Sequence, residues 1–177
     1  MKFQTIKPSE MQDNPFALIA SNHMLVTAKM GDKVNTMTIG WGGFGALWGR
    51  DVVYMVVRPG RYTHEFLEQA EGFSLTAFDK GERGQEIITF CGTKSGRDVD
   101  KIAACGLHLA YDGEIPYFEE ARLVMSCKKI YRSTIVLEQY CGGDDDLINK
   151  WYDETHGTAP HSVYIAEITR LMVRNES

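Results

Sequence analysis

The stretch Asn35-Thr36-Met37-Thr38-Ile39-Gly40-Trp41-Gly42-Gly43-Phe44-Gly45-Ala46-Leu47-Trp48-Gly49 decides how the chain is read. Gly40 to Gly45 spells G-x-G-x-x-G, the letter pattern of a dinucleotide-binding loop. That loop works only when a helix follows its last glycine, because the helix N-terminus holds the pyrophosphate. Here only Ala46-Leu47-Trp48 precedes Gly49 and the next strand, which leaves no room for the helix. The glycines instead let backbone approach a flat ligand or a neighbouring chain. The first half of the stretch reads as a strand, with Asn35, Met37 and Ile39 on one face and Thr36 and Thr38 on the other. So polar a strand, ending in tryptophan and glycine, suits an amphipathic ligand with a flat ring. It also suits an ordinary half-exposed strand.

Outward from there, strand signals dominate. Met24 to Ala28 and Val34 to Ile39 flank a Gly31-Asp32 turn. Val52 to Val57 is a nearly continuous β-branched run, which predicts burial on both faces. Phe73 to Phe78 alternates, Arg122 to Val136 holds one long or two consecutive strands, and Val163 to Val173 supplies the last. Three short helices lie between. Thr63 to Glu71 stops at Gly72, a second helix opens at Ser95-Gly96-Arg97-Asp98 and ends at Gly106, and Leu147 to Tyr152 forms a third behind the acidic first turn Asp144-Asp145-Asp146. About six strands with helices as inserts do not alternate as βαβ units. The expectation is a mainly β fold, an antiparallel β-barrel decorated by helices, with residues 1–177 as a single domain.

Composition narrows the function. The 177 residues are 44% apolar and 24% charged, which excludes a wholly disordered chain. Nineteen basic against 24 acidic residues give a net charge of -5, so a nucleic-acid partner is not expected, although a local basic pocket for one small anion is compatible with it. Apolar runs such as Phe16 to Ala20 are too short to span a bilayer, and Met1 to Asn14 lacks the apolar core of a secretory signal. Cys91, Cys105, Cys127 and Cys141 are far apart with no C-x-x-C pair, which reads as reduced thiols in a cytoplasm.

Two polar segments could hold that anion. Arg58-Pro59-Gly60-Arg61-Tyr62-Thr63 stands where a strand runs into a helix, with Thr63 as a natural N-cap. The N–H groups behind the cap form an anion site, and the two arginines add planar donors suited to phosphate. The same residues also make a Pro-Gly turn with solvated arginines. Cys91-Gly92-Thr93-Lys94-Ser95-Gly96-Arg97-Asp98 offers a second wall for a phosphate or ribityl chain, without Walker order or spacing. His23, His64, His108, His156 and His161 show no metal-ligand spacing, no G-x-S-x-G elbow exists, and the carboxylates single out no acid/base pair. Cys91 reads as a buried thiol rather than a nucleophile.

Together these segments resemble the flavin reductase-like family with the FMN-binding split barrel. The resemblance rests on Asn35-Thr36-Met37-Thr38 with Trp41-Gly42-Gly43, on Val57-Arg58-Pro59-x-Arg61-Tyr62-Thr63, and on Phe90-Cys91-Gly92-x-Lys94-Ser95-Gly96-Arg97-Asp98 with Asp100-Lys101. His161 to Ile168 resembles the family's closing strand more weakly. The resemblance implies a six-stranded Greek-key barrel, a homodimer, and FMN near the subunit interface. It implies that Asn35, Thr36, Met37, Thr38, Gly40 and Trp41 line the isoalloxazine and ribityl. Arg58, Arg61 and Thr63 would hold the phosphate, with Tyr62 among the cofactor-binding residues. Lys94, Ser95 and Arg97 would contact the phosphate or ribityl from the second loop, and His161 and Tyr164 would approach the flavin. It further implies reduction of the flavin by NADH or NADPH, with no catalytic side chain, since the cofactor carries the hard chemistry. A flavin-binding electron carrier reduced by a redox partner protein, and a non-enzymatic binder of another anion, are the alternatives.

Overall fold

The computed structural model describes residues 3–143 and 145–175. Eight strands form one antiparallel sheet: β1 Phe3–Ile6, β2 Met24–Met30, β3 Lys33–Ile39, β4 Gly42–Leu47, β5 Arg50–Val57, β6 Gly72–Ala77, β9 Leu123–Thr134 and β10 Ser162–Arg174. Their order is β3-β2-β6-β9-β10-β5-β4, with β1 added on β10. A separate hairpin pairs β7 Leu109–Asp112 with β8 Ile115–Phe118. The two ends of the sheet order, β3 and β4, are consecutive in the chain and joined only by Gly40 and Trp41. The sheet therefore curls until its ends meet at that corner, where the Val56 N–H donates to the Trp41 carbonyl (3.4 Å). Gly40 makes room there, because a Cβ would stand 2.9 Å from His23 Nδ1 and would have to displace that ring.

The barrel interior is filled by Val26, Ala28, Val53, Met55, Phe73, Leu75, Met125, Tyr164 and Ala166, and α1 (Tyr62–Gln69) closes it with Phe66 and Leu67. A second apolar layer lies outside the sheet. There α2 (Glu82–Thr93), α3 (Lys101–Ala104) and the hairpin bury Ile87, Ile88, Cys91, Cys105, Leu107 and Phe118 against Leu25 of β2. The last helix, α4, is Asp145–Trp151. No helix among the described residues is long and apolar enough to cross a membrane.

The antiparallel barrel with helical inserts and the Gly31-Asp32 turn match the sequence reading. Several details differ. β1, β4 and the hairpin add strands to the expected six. The β4 strand is where the dinucleotide reading would have needed its helix. β5 is fully buried on one face, where Val53, Met55 and Val57 point inward. The other face is only partly covered: Val52 is buried, Val56 half-buried and Tyr54 48% exposed. Burial on both faces falls instead on Met24–Ala28, Phe73–Ala77 and Leu123–Cys127, because the covering layer sits on that side of the barrel. A helix over Glu82–Thr93 takes up Cys91, Gly92 and Thr93, which sequence placed in a loop. Ser95 to Asp98 is a turn, and the short helix opens only at Lys101. Asp100 caps it, its Oδ1 accepting from the Ile102 and Ala103 N–H groups (3.0 Å each). Of the acidic run, Asp144 lies outside the described residues.

Candidate functional site

The β3 strand, the start of α1 and the segment after α2 converge on one cleft of about 130 Å³. Met37 borders it from β3, Arg61, Tyr62 and Thr63 from the entry to α1, and Cys91, Lys94, Ser95, Arg97 and Lys101 from the opposite wall. Four cationic side chains thus line a space the size of one small anion. Gly96 lets the wall close, since a Cβ there would lie 2.1 Å from Asn35 Oδ1. A shallower groove of about 570 Å³ continues past Tyr62, Arg97 and Lys101 along Val34, Asn35 and Tyr111.

Each side chain has a local reason for its place. Asn35 is buried on β3 and donates from Nδ2 to Thr63 Oγ1 (2.9 Å), which ties the strand to the first turn of α1. Thr63 is therefore not the N-cap. Arg61 occupies the cap position without a side-chain bond, and Thr63 is the second helical residue, held by Asn35. The sequence reading placed the cap two residues late because Arg61 is a poor capping type and Thr63 a good one. On the other face of β3, Thr36 Oγ1 donates to the Val26 carbonyl (3.0 Å) and meets Thr27 Oγ1 (2.9 Å), while Thr38 Oγ1 donates to the Ile88 carbonyl (2.6 Å). These two threonines bond to neighbouring elements, and Met37 is the β3 residue that borders the cleft.

The floor is Lys101, which sequence reasoning left out of the site. It is 4% exposed, and its Nζ donates to the Cys91 carbonyl (2.9 Å). Burial pulls its pKa below the ordinary lysine value, and nearby Arg61 acts in the same direction. A buried ammonium with one protein acceptor is costly, and an anion beside it offsets that cost. The available signal was its spacing: Lys101 lies four residues before Cys105 and so shares its buried face. Arg97 donates to Glu65, reaches the Gly60 carbonyl (3.4 Å) and lies over the Tyr62 ring (4.8 Å to the centroid), which fixes it at the rim.

Four further candidate residues, Arg58, Trp41, His161 and Tyr164, lie elsewhere. Arg58 donates to the Gly157 carbonyl (2.8 Å) and to the Trp151 carbonyl, and its guanidinium faces the Tyr152 ring. It therefore anchors the strap that contains α4. Trp41 at the barrel corner meets Trp151 edge-on (4.7 Å) and the His161 ring (5.1 Å). His161 is 4% exposed and shares a hydrogen bond with Tyr152 (Nδ1 to OH, 2.9 Å). Burial, with the charges of Arg58 and Arg61, pushes its pKa down to about 4, so it is neutral at pH 7. Arg61 thus links this aromatic corner to the cationic cleft. Tyr164 points into the barrel, where its hydroxyl donates to Glu68 of α1. Its register fixes this, since it pairs with Met55 on the inward face of β5.

The family model for the flavin reductase like domain matches residues 16–177. No curated protein matches the chain. Among solved structures, an FMN-binding domain of a flavin reductases-like enzyme from Shewanella baltica superposes with a TM-score of 0.66 at 18% identity, covering 97% of this chain and 77% of that one. A flavoredoxin of Desulfovibrio vulgaris gives 0.66 at 18% identity, over 96% and 78%. An NADH:FAD oxidoreductase from Streptomyces globisporus gives 0.61 at 15% identity, over 86% and 75%. At these identities the likeness establishes the shared split-barrel fold.

Proposed function

The chain belongs to the flavin reductase-like family, and on that premise we propose that it binds FMN and works as an NAD(P)H-dependent oxidoreductase in a reducing cytoplasm. The observation that carries this reading is the cleft in which Arg61, Lys94, Arg97 and buried Lys101 converge beside the first turn of α1. The donor set fits a phosphate monoester: fixed cations, the Thr63 and Ser95 hydroxyls, and helix N–H groups favour a compact dianion. In this reading Arg61, Thr63, Lys94, Ser95, Arg97 and Lys101 hold the phosphate. The flavin lies along Asn35 to Trp41, toward the corner that Trp41 and His161 build. Tyr62 and Arg97 form the rim between cleft and groove.

Bound FMN would supply the centre that accepts a hydride from NADH or NADPH. The chain's own contribution is to fix the ligand's orientation, to limit water at the aromatic corner and to leave one face accessible. Neutral His161 adds no positive charge at that corner. No side chain is assigned an acid/base role. The outward faces of β5, β10 and the second half of β9 present Tyr54, Val56, Val163, Ile165 and Tyr131, which neighbour one another in register. We assign this stripe to a homodimer contact.

An absorbance spectrum of the purified protein, taken before and after anaerobic addition of NADH and NADPH, tests the proposal. Flavin bands that bleach promptly are the expected result. Bands that persist with both nucleotides but bleach with a reduced redox protein would replace the reductase reading with that of an electron carrier. A protein that shows no bands and retains no added FMN after the free flavin is removed would overturn flavin binding and leave a binder of another anion.

A further inference from the structure

The flavin reading leaves unused a pair of thiols beneath the cleft. Cys91 in the last turn of α2 and Cys105 at the end of α3 are 14 residues apart in sequence, with their Sγ atoms 3.9 Å apart. Both are buried, at 1% and 4% exposure. A disulfide needs the sulfurs about 2 Å closer, within reach of a rotamer change and a small helix shift. The pair also sits between two concavities. Cys91 borders the cationic cleft, and Cys105 borders a groove of about 610 Å³ along the outer side of α2. A small oxidant can therefore approach Cys105 without entering the cleft. Lys101 couples the pair to the anion floor, because its Nζ is held by the Cys91 carbonyl.

We propose that Cys91 and Cys105 form a reversible intramolecular disulfide that weakens anion binding in the cleft above them. The co-reactant is a low-molecular-weight disulfide. The Cys105 sulfur attacks one of its sulfurs, forming a mixed disulfide and releasing one thiol. The Cys91 sulfur then attacks the Cys105 sulfur, forming the internal bond and releasing the second thiol. The two cysteine protons end on the two released thiols, so the dithiol is oxidised by two electrons and the added disulfide is reduced by two. Burial pushes the Cys91 thiol up to about 12, so the second step is slow at neutral pH and accelerates as pH rises. Drawing Cys91 toward α3 displaces the carbonyl that positions Lys101. The flavin half of this inference rests on the reading given above.

The test uses the Cys141→Ser protein, which lacks the exposed thiol, treated with oxidised glutathione at alkaline pH. Trypsin places Cys91 in the peptide 84–94 and Cys105 in the peptide 102–122. The expected result is a joined pair of these peptides that dithiothreitol separates, with a loss of two titratable thiols. The Kd for FMN rises about fivefold or more and returns on reduction, while Cys105→Ala removes the sensitivity to oxidant. Unjoined peptides with an unchanged thiol count would overturn the proposal, as would a joined pair with FMN affinity unchanged. If the reduced protein binds no FMN, the flavin reading falls and the peptides and thiol count alone decide the disulfide.

Discussion

Along β9 one strand passes through two different environments. Leu123 to Cys127 is buried throughout, whereas from Lys128 to Thr134 every residue is exposed or half-buried. The first half lies between β6 and β10 and is covered by the hairpin and β1, through Tyr117 and Phe3 against Val124. Beyond Lys128 the second half pairs with β10 alone, on the bare side of the barrel. The ladder to β10 runs through both halves, so that pairing does not make the difference, although only the first half and Lys128 also pair with β6. What differs is whether another part of the chain covers the outer face. The covered half is a two-sided core whose substitutions act on folding. The bare half buries no residue fully, and its outward residues are free to act on association.

The largest expected effect breaks the covering layer. Phe118 is fully buried in the second apolar cluster, and Phe118→Ala is expected to destabilise by about 3–5 kcal/mol, read from urea unfolding. A cost below about 1 kcal/mol would show that the layer is not part of the core. Next is pH. His161 has a folded pKa of about 4 against an ordinary 6.5, so between those values the unfolded chain takes up a proton that the folded chain refuses. Stability is therefore fully present above pH 6.5 and falls as pH drops toward 4, by on the order of 2–3 kcal/mol. The lowered pKa of His64, also caused by burial, acts with the same sign. His161→Gln should flatten most of that slope in thermal melts taken across this range.

The two arginines separate cleft from strap. Arg61→Ala should weaken FMN binding by about 1–3 kcal/mol, while Arg58→Ala, which unlatches α4, should have a smaller effect in the same fluorescence titration. Equal losses would place Arg58 at the phosphate. Under the covering layer the Thr76 hydroxyl is buried without a protein partner, and Thr76→Val should stabilise by about 1 kcal/mol. The smallest effect on folding belongs to the bare side. Tyr54→Glu should change stability by about 0.5 kcal/mol or less, yet convert a dimer to monomer in sedimentation velocity. A wild-type monomer would remove the dimer assignment.

The strands with strong β-branched or alternating patterns, Met24 to Ala28, Val34 to Ile39, Phe73 to Phe78 and Val163 to Val173, were legible because side-chain period and apolar content are local properties. So was the rejection of a helix after Gly45, which needed only a count of residues. The helix at Glu82–Thr93 was not legible, because its Gly84 and Gly92 weaken the local signal and packing against β2 and β3 supplies the stability instead. The residue types of the cleft could be read from two polar segments, but their roles could not. Thr63 had the chemistry of a cap and became a hydrogen-bond partner of Asn35. Arg58 had the chemistry of a phosphate ligand and became the latch of a strap that begins 87 residues later, at Asp145.

What the sequence determined by itself was the class of fold and the donors available to an anion, since both follow from periodicity and side-chain chemistry. What only the tertiary structure decided was which donors meet. Lys101 reaches the floor because α3 packs against the end of α2, and Tyr164 leaves the site because its register turns it inward. The structure also decided that Val52 to Val57 leaves its outer face only partly covered, with Tyr54 exposed and Val56 half-buried. A β-branched run states that a strand will form, but burial of its second face depends on what another segment brings to it, and that is a property of the assembled chain.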